Sequence, residues 1–188
     1  MQKIEVTKRG KISNSIKIRR CIWEFCRLFL FRPFCLPPFR IWRIFILKLF
    51  GAKLKWSCNI YASTKIWAPW KLQMEDNTTL GPHVICYNQD WVIIDKNTII
   101  SQYAYLCTAS HETSKLNTAY DSLITAPIHI KANAWIGSKA FINFGVCIGE
   151  YAIVGATASV YKNVNDYEIV GGNPAKVLKK RTLNDKFE

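Results

Sequence analysis

Histidine and methionine are scarce in this sequence, and several familiar signatures are missing altogether. The chain of 188 residues has 3 His and 2 Met, and its seven cysteines form no CxxC pair. An odd, scattered set argues against a disulfide scaffold. With Cys58, Cys86, Cys107 and Cys147 at positions where a thiol serves as a small apolar filler, it fits a reducing compartment. There is no GxSxG elbow, no Walker-type loop and no GxGxxG after a strand, which removes the hydrolase, nucleotidase and dinucleotide readings those motifs carry. The opening MQKIEVTKRGKISNSIKIRR is polar and basic, so no cleavable signal pattern is present. A spanning helix needs about 18–20 apolar residues with almost no charge. Here Arg27, Arg32, Arg40, Arg43 and Lys48 interrupt every apolar run.

Acidic residues are nearly missing from one end only. Residues 1–55 hold 14 Lys+Arg against 2 Asp+Glu, a net of +12; residues 56–188 hold 12 against 11, a net of +1. That segregation predicts an anionic partner for one end of the chain. Within it, CIWEFCRLFLF and RIWRIFILKLFG read as helices separated by Pro33, Pro37 and Pro38. Basic side chains alternate there with large apolar ones, the pattern of a segment lying on an anionic membrane through residues 16–50. The same apolar surface also suits packing as a cap on the open end of the following repeat domain or on a neighbouring subunit, and these are compatible with membrane association. Nucleic acid is not an expected partner, since no polar basic groove is spelled out.

What the sequence has in abundance is a period of six. Ile130, Ile136, Ile142, Ile148, Val154 and Val160 are evenly spaced, and Ala134, Ala140, Val146, Ala152, Ala158 and Val164 follow each by four. Helices need spacings of three and four, and amphipathic strands spacings of two. Hexads fit short strands and turns stacked as a prism of about 18 residues per coil. Ile130 is then expected against Ile148, and Ile136 against Val154. From Ile60 the hexads are present but slip, once at KLQ (71–73) and again before Ile94, giving about six coils in all. Gly145, Gly149 and Gly155 occupy hexad turns. The expected organisation is a basic amphipathic helical segment at 1–53, a hexapeptide solenoid at 54–170 with an inserted loop at 112–127, and a basic tail at 171–188.

The inserted loop directs attention to His111, which ends the string CTASH as the repeat stops. A histidine at such a point can serve as a general base near neutral pH once its second nitrogen is fixed. His83 sits in a turn (GPH) and His129 alternates out of a strand (IHI), so both are read as surface residues. Spacings of 28 and 18 between the three are poor for a shared zinc ion, and no metal site is expected.

Taken together, KIWAPWKL (65–72), AYLCTASHE (104–112), PIHIKANAWIGSKAFINFGVCIGEYAIVGATASVYKNV (127–164) and GGNPAK (171–176) resemble the hexapeptide-repeat acyltransferases. The nearer resemblance is to the sugar O-acetyltransferases of exopolysaccharide synthesis, the colanic acid type. It implies an all-β solenoid, a left-handed parallel β-helix, assembled as a homotrimer with a cleft between neighbouring prisms. It also implies acetyl-CoA as co-substrate with no metal, and His111 as the base that lets a sugar hydroxyl attack the thioester directly. By position, Trp135 and Ser138 match residues lining the CoA channel, and Ala156 a backbone contact to the pantetheine arm. Tyr161 and Lys162 match contacts near the nucleotide, Lys176 and Lys179 basic residues for the phosphates, and Asn88 a polar residue near the acceptor. Trp135, Ser138, Ala156, Tyr161 and Lys162 are thus read as one wall of the cleft. The sequence departs from the pattern at Phe144, where proline is frequent, and at MEDN (74–77), which lacks the usual glycine.

The expected activity is acetyl transfer to a sugar hydroxyl of a polysaccharide or its precursor, in the cytoplasm at the inner face of the cell membrane. N-acetylation of an amino sugar nucleotide is the alternative on the same scaffold. A γ-carbonic-anhydrase-like metalloprotein is a further one that the histidine spacing disfavours.

Overall fold

A computed structural model describes residues 7–9, 13–111 and 123–182, with no side-chain detail for 7–9. Strand β1 (Thr7–Arg9) is followed by helices α1 (Asn14–Cys26) and α2 (Arg40–Leu49). The solenoid then begins with β2 (Lys53–Leu54), β3 (Asn59–Ile60) and β4 (Lys65–Ile66). Its second turn is β5 (Leu72–Met74), β6 (Thr79–Leu80) and β7 (Ile85–Tyr87), and its third β8 (Val92–Ile94), β9 (Ile99–Ile100) and β10 (Tyr105–Cys107). An excursion carries β11 (Ala109–His111) and β12 (Leu123–Thr125). The fourth turn is β13 (Ile128–Ile130), β14 (Trp135–Ile136) and β15 (Phe141–Ile142); the fifth is β16 (Cys147–Ile148), β17 (Ile153–Val154) and β18 (Ser159–Val160). Val164 bridges to Ile148, starting a sixth turn that ends in β19 (Glu168–Gly171) and the returning β20 (Lys176–Lys180).

Parallel pairing sorts these strands into three faces. The first is β2-β5-β8-β13-β16, the second β3-β6-β9-β14-β17-β19 closed by antiparallel β20, and the third β4-β7-β10-β15-β18. Ile130 pairs with Ile148 and Ile136 with Val154, the stacking the period requires. Inward-pointing residues stack from turn to turn, and columns such as Leu54–Met74–Ile94–Ile130–Ile148 are buried along the whole prism. Truncating one of these to Ala costs about 2–5 kcal/mol through lost burial and the void left behind.

The slips in the early hexads have a local cause. Leu54 aligns with Met74 and Met74 with Ile94, twenty residues per turn, whereas Ile130 aligns with Ile148, eighteen apart. Both extra residues fall at the corner between the third and first faces, where Pro69–Lys71 forms a single 3₁₀ turn. The inserted loop leaves from that same corner, and Ile94 aligns with Ile130 across it.

At the other two corners the chain turns through the left-handed region on residues other than glycine. Asn77, Asn97 and Asn133 do so at the first-to-second corner (φ 56°, 58° and 60°) and hydrogen-bond one another in a column. His83 and Tyr103 do so at the second-to-third corner and stack with ring centroids 4.9 Å apart. Asparagine tolerates this conformation and the stack offsets the strain for the rings.

Helices α1 and α2 close the open end of the prism. Trp23, Phe31, Ile44 and Leu47 are buried against the first turn. The three edge strands there would otherwise leave carbonyls unpaired. Lys48 Nζ donates to Leu54 O (2.7 Å), Arg43 Nε to Ile60 O (2.8 Å) and Trp23 Nε1 to Ile66 O (2.7 Å), one donor for each face. Arg40 adds bonds to Trp56 O and Cys58 O. Much of the N-terminal basicity therefore does capping. Burial lowers the Arg43 pKa from its usual value, yet its three carbonyl contacts (Ile60, Phe34 and Leu36) hold the charged form in place. Among the described residues no helix is long and apolar enough to cross a membrane.

Candidate active site

The third-to-first corner is held by side chains instead of by the hexad turn. Asn88 is fully buried; its Oδ1 accepts from Ala68 N (3.0 Å) and its Nδ2 donates to Ala68 O (2.7 Å) and Lys71 O (3.1 Å). Asn88, the residue expected near the acceptor, is thus buried with three backbone bonds on its amide. It staples the second turn's corner to the first.

One layer further, Asp90 staples the same corner to the excursion. Its backbone N–H donates to Thr108 Oγ1 (2.8 Å), and Thr108 Oγ1 donates in turn to Tyr87 O (3.1 Å). Thr125 Oγ1, on β12, donates to Asp90 Oδ2 (3.0 Å), while Trp91 N occupies Oδ1 (2.8 Å). Lys71 Nζ donates to Gln89 O (2.6 Å) and stands 3.8 Å from Asp90 Oδ1. Thr108 and Thr125 are both fully buried.

On this base β11 and β12 run antiparallel, joined by β1, and the last residue of β11 is His111, opposite Leu123. His111 is exposed, raised off the prism by a hairpin whose foot is fixed. Glu112 and the rest of 112–122, expected as the bulk of the insertion, lie outside the described residues; 123–125 are strand. Asp90, Thr108, Thr125 and Lys71 are absent from the sequence expectations. Their only signal is the pair of register slips, at KLQ and before Ile94.

The residues matched to a CoA channel are elsewhere. Trp135 lies on the outer side of the second face, 42% exposed, with Nε1 donating to Ser101 Oγ (2.9 Å). Ser138 and Ala156 stack at the second-to-third corner, where Thr157 N donates to Ser138 O (2.8 Å). Gly137 is required beneath them, since a Cβ there would fall 2.6 Å from Ala156 N. The GGNPA segment continues this corner, with Ser159 N donating to Gly172 O and Ala175 N to Ser159 O. Lys176 and Lys179 follow on exposed β20, which pairs antiparallel with β19.

Tyr161 and Lys162 are exposed one strand-width away, on the third face and at its corner with the first. Tyr161 continues an outward aromatic row with Phe141 (5.9 Å) and Tyr105 (5.6 Å). Burial, followed by the neighbouring Cys107 thiol, pushes the Tyr105 phenol up to about 12, so it stays neutral in that row. The five residues read as one wall thus wrap two sides of the prism. His111 and Lys162 share one corner; Trp135, Ser138 and Ala156 gather around another.

The remaining histidines fill structural positions. His83 stacks at its corner, and His129 on the first face holds Asp95 Oδ2 at 2.9 Å. The three histidines are on different sides of the prism, and among the described residues no group of three or more His, Cys, Asp or Glu could hold a metal. Below the hairpin, Pro127, His129, Lys131, Cys147 and Asn163 line a groove of about 780 Å³ along the first face.

No family model matches the chain. It is 37% identical over 140 residues to an Escherichia coli protein named as a colanic acid biosynthesis acetyltransferase, WcaF, covering 74% of this chain and 75% of that one. Among solved structures, a hexapeptide-repeat containing acetyltransferase from Vibrio cholerae complexed with acetyl coenzyme A superposes with a TM-score of 0.78 at 26% identity, covering 90% of this chain and 91% of that one. A galactoside acetyltransferase in complex with coenzyme A shares the fold, with a TM-score of 0.79 at 19% identity over 93% of this chain and 86% of that one.

Proposed function

Because the chain belongs to the hexapeptide-repeat acetyltransferases, whose left-handed β-helix it shares, we propose that it transfers acetyl from acetyl-CoA to a sugar hydroxyl of a polysaccharide or its precursor. The observation that carries this reading is the hairpin that lifts His111 clear of the prism on a buried polar footing. A base fixed this way can meet an acceptor bound outside the solenoid.

The acceptor hydroxyl gives its proton to the imidazole of His111 as its oxygen attacks the acetyl carbonyl. A tetrahedral oxyanion forms, stabilised by a backbone N–H. It collapses with cleavage of the C–S bond, and the departing thiolate recovers the proton from the imidazolium. The product is an O-acetyl ester and free CoA, with no acyl-enzyme and no metal. Positioning both substrates supplies much of the acceleration.

Trp135, Ser138 and Ala156 flank the pantetheine arm in this reading, and Lys176, Lys179 and Lys162 with Tyr161 serve the phosphates and nucleotide. Since the base and this channel stand at different corners, one chain does not complete the site. A homotrimer does so by turning the third face, with Ile85, Tyr105, Phe141 and Tyr161 outward on it, toward the threefold axis. The His111 corner of one copy then meets the Ser138–Ala156 corner of the next. The first-face groove below His111 becomes the opposite wall.

WcaF is named for colanic acid biosynthesis, and a sugar polymer or its lipid-linked precursor is the acceptor class this supports. The basic, apolar N-terminal segment agrees with work in the cytoplasm at the inner membrane face. Steady-state assay with acetyl-CoA and candidate glycan acceptors tests the reading, with the ester located by mass spectrometry. Thioester cleavage that no hydroxyl acceptor stimulates, but an amino sugar nucleotide does, would replace it with N-acetylation.

A further inference from the structure

The helical cap has an apolar surface that the prism does not cover. Along α1 and the π-helical turn after it (Arg27–Phe31), Ile18, Ile22, Phe25 and Phe29 recur at helical spacing and are 54–63% exposed. Helix α2 repeats the pattern with Ile41, Phe45 and Leu49, 45–70% exposed. Ring contacts at 5.2, 5.6 and 5.9 Å join Phe39, Phe34, Trp42 and Phe45 into one strip across the cap. A soluble monomer seldom shows contiguous apolar surface on this scale without a partner.

We propose that this surface docks on an anionic lipid bilayer. Charge selects the occupant. Residues 16–50, which bear the strip, hold 8 Lys+Arg against 1 Asp+Glu, a net of +7, so a second copy of the same surface would be repelled while an anionic interface is attracted. The chemistry of the strip fits the boundary between headgroups and acyl chains, where aromatic and aliphatic groups insert beside basic ones. The polar groups of α2 beside the strip are bonded within the protein. Trp42 Nε1 donates to Leu30 O (2.7 Å), and Arg40, Arg43 and Lys48 are bonded to carbonyls of the first turn and the preceding loop. The ring of Trp42 can therefore leave water without stranding a donor. Exposed Lys17 and Arg32 are placed to meet headgroups.

The docking face lies at the first-turn end of the solenoid, and its multivalency rests on the trimeric reading. Parallel prisms related by a threefold axis present three such caps at one end of the assembly. Simultaneous engagement of a flat surface raises the avidity of each weak contact. The prisms then stand on the membrane, with His111 and the cleft to the side, facing acceptors held near it.

Flotation of the full-length protein tests this, using vesicles of phosphatidylglycerol mixed with phosphatidylcholine against phosphatidylcholine alone. Binding to the anionic vesicles is expected to be at least about tenfold tighter and to weaken with salt. The double variant Phe45→Ser, Leu49→Ser should bind about tenfold or more weakly, and Lys17→Glu, Arg32→Glu likewise. Sedimentation coefficient, thermal melting and CoA affinity should not move in either. Equal flotation of parent and variants, or equal binding to both vesicle types, would overturn the proposal. So would dissociation of the oligomer in the Phe45/Leu49 variant, which would make the strip a subunit contact. CoA affinity is read separately, so failure of the parent to dock while it still binds CoA counts against the membrane surface alone. Failure of the parent to bind CoA counts against the acetyltransferase reading alone.

Discussion

Two corners of one prism carry the proposed chemistry, and they are built differently. The second-to-third corner follows the hexad, with Ser138 and Ala156 in adjacent turns eighteen residues apart, held by backbone bonds. The third-to-first corner breaks the hexad at each early turn, and the buried side chains of Asn88, Thr108 and Thr125, with the partly buried Asp90, replace the missing regularity. A repeat can position a long ligand along its own axis but cannot aim one side chain away from it. The proposed base, His111, stands where the repeat is interrupted.

Changes at the two corners should separate in kind as well as size. The largest effect is expected from His111→Ala. Turnover should drop about 10²–10⁴-fold, the usual worth of a general base, with CoA affinity unchanged by calorimetry. Near-normal turnover would remove the assigned base. Next is Asn88→Ala, which strands the Ala68 and Lys71 backbone groups at about 1–3 kcal/mol each. The melting temperature should fall by roughly 5–10 °C. An unchanged melt with a raised acceptor KM would return Asn88 to the acceptor.

Trp135→Ala should act in the opposite sense, weakening CoA binding by about tenfold while costing the half-exposed site under ~1 kcal/mol of stability. A large loss of stability would mean the ring is core and not channel. Thr125→Val removes the hydroxyl that ties the hairpin to Asp90, for about 1 kcal/mol. It should lower kcat with the KM for acetyl-CoA unchanged, and Thr125→Ser should restore it. A fall in stability alone would limit Thr125 to the fold.

The smallest effect lies in the last turn. The Glu150 backbone N–H, and then Lys131, hold the Asp166 carboxyl below its ordinary 3.8. A depressed folded-state pKa adds stability that is complete above the unfolded value and lost as pH falls through the folded one. Acid titration should thus loosen this turn below about pH 4, and Asp166→Asn should flatten that limb slightly. The group is mostly solvent-exposed, so the change should be small.

Legibility in the sequence follows the same division. Strict hexads made the fold, the Ile130–Ile148 and Ile136–Val154 stacking, and the position of the excursion readable, because each depends on side chains repeating at fixed intervals. The slips at KLQ and before Ile94 were visible as irregularities, but not as stapled corners. Nothing in a linear pattern tells a buried Asn88 bonded to a neighbouring turn from one facing a ligand. The split between Trp135 with Ser138 and Tyr161 with Lys162 was hidden for a related reason. Residues within one repeat of each other can stand on different faces, since each hexad turns the chain through a corner. The capping carbonyl bonds of Lys48, Arg43 and Trp23 also join residues distant in sequence, and composition alone showed only their charge.

Mixed oligomers test the two-corner account most directly. His111→Ala removes the base, and Ala156→Trp fills the channel at the other corner; each variant alone should be inactive. If the site joins the His111 corner of one copy to the Ala156 corner of the next, co-assembly in equal amounts pairs an intact base with an intact channel in one arrangement of four. Turnover should then recover to about a quarter of the parent's. A mixture no more active than the two variants measured separately would place both corners in the same site of a single chain, contrary to the structure's separation of them.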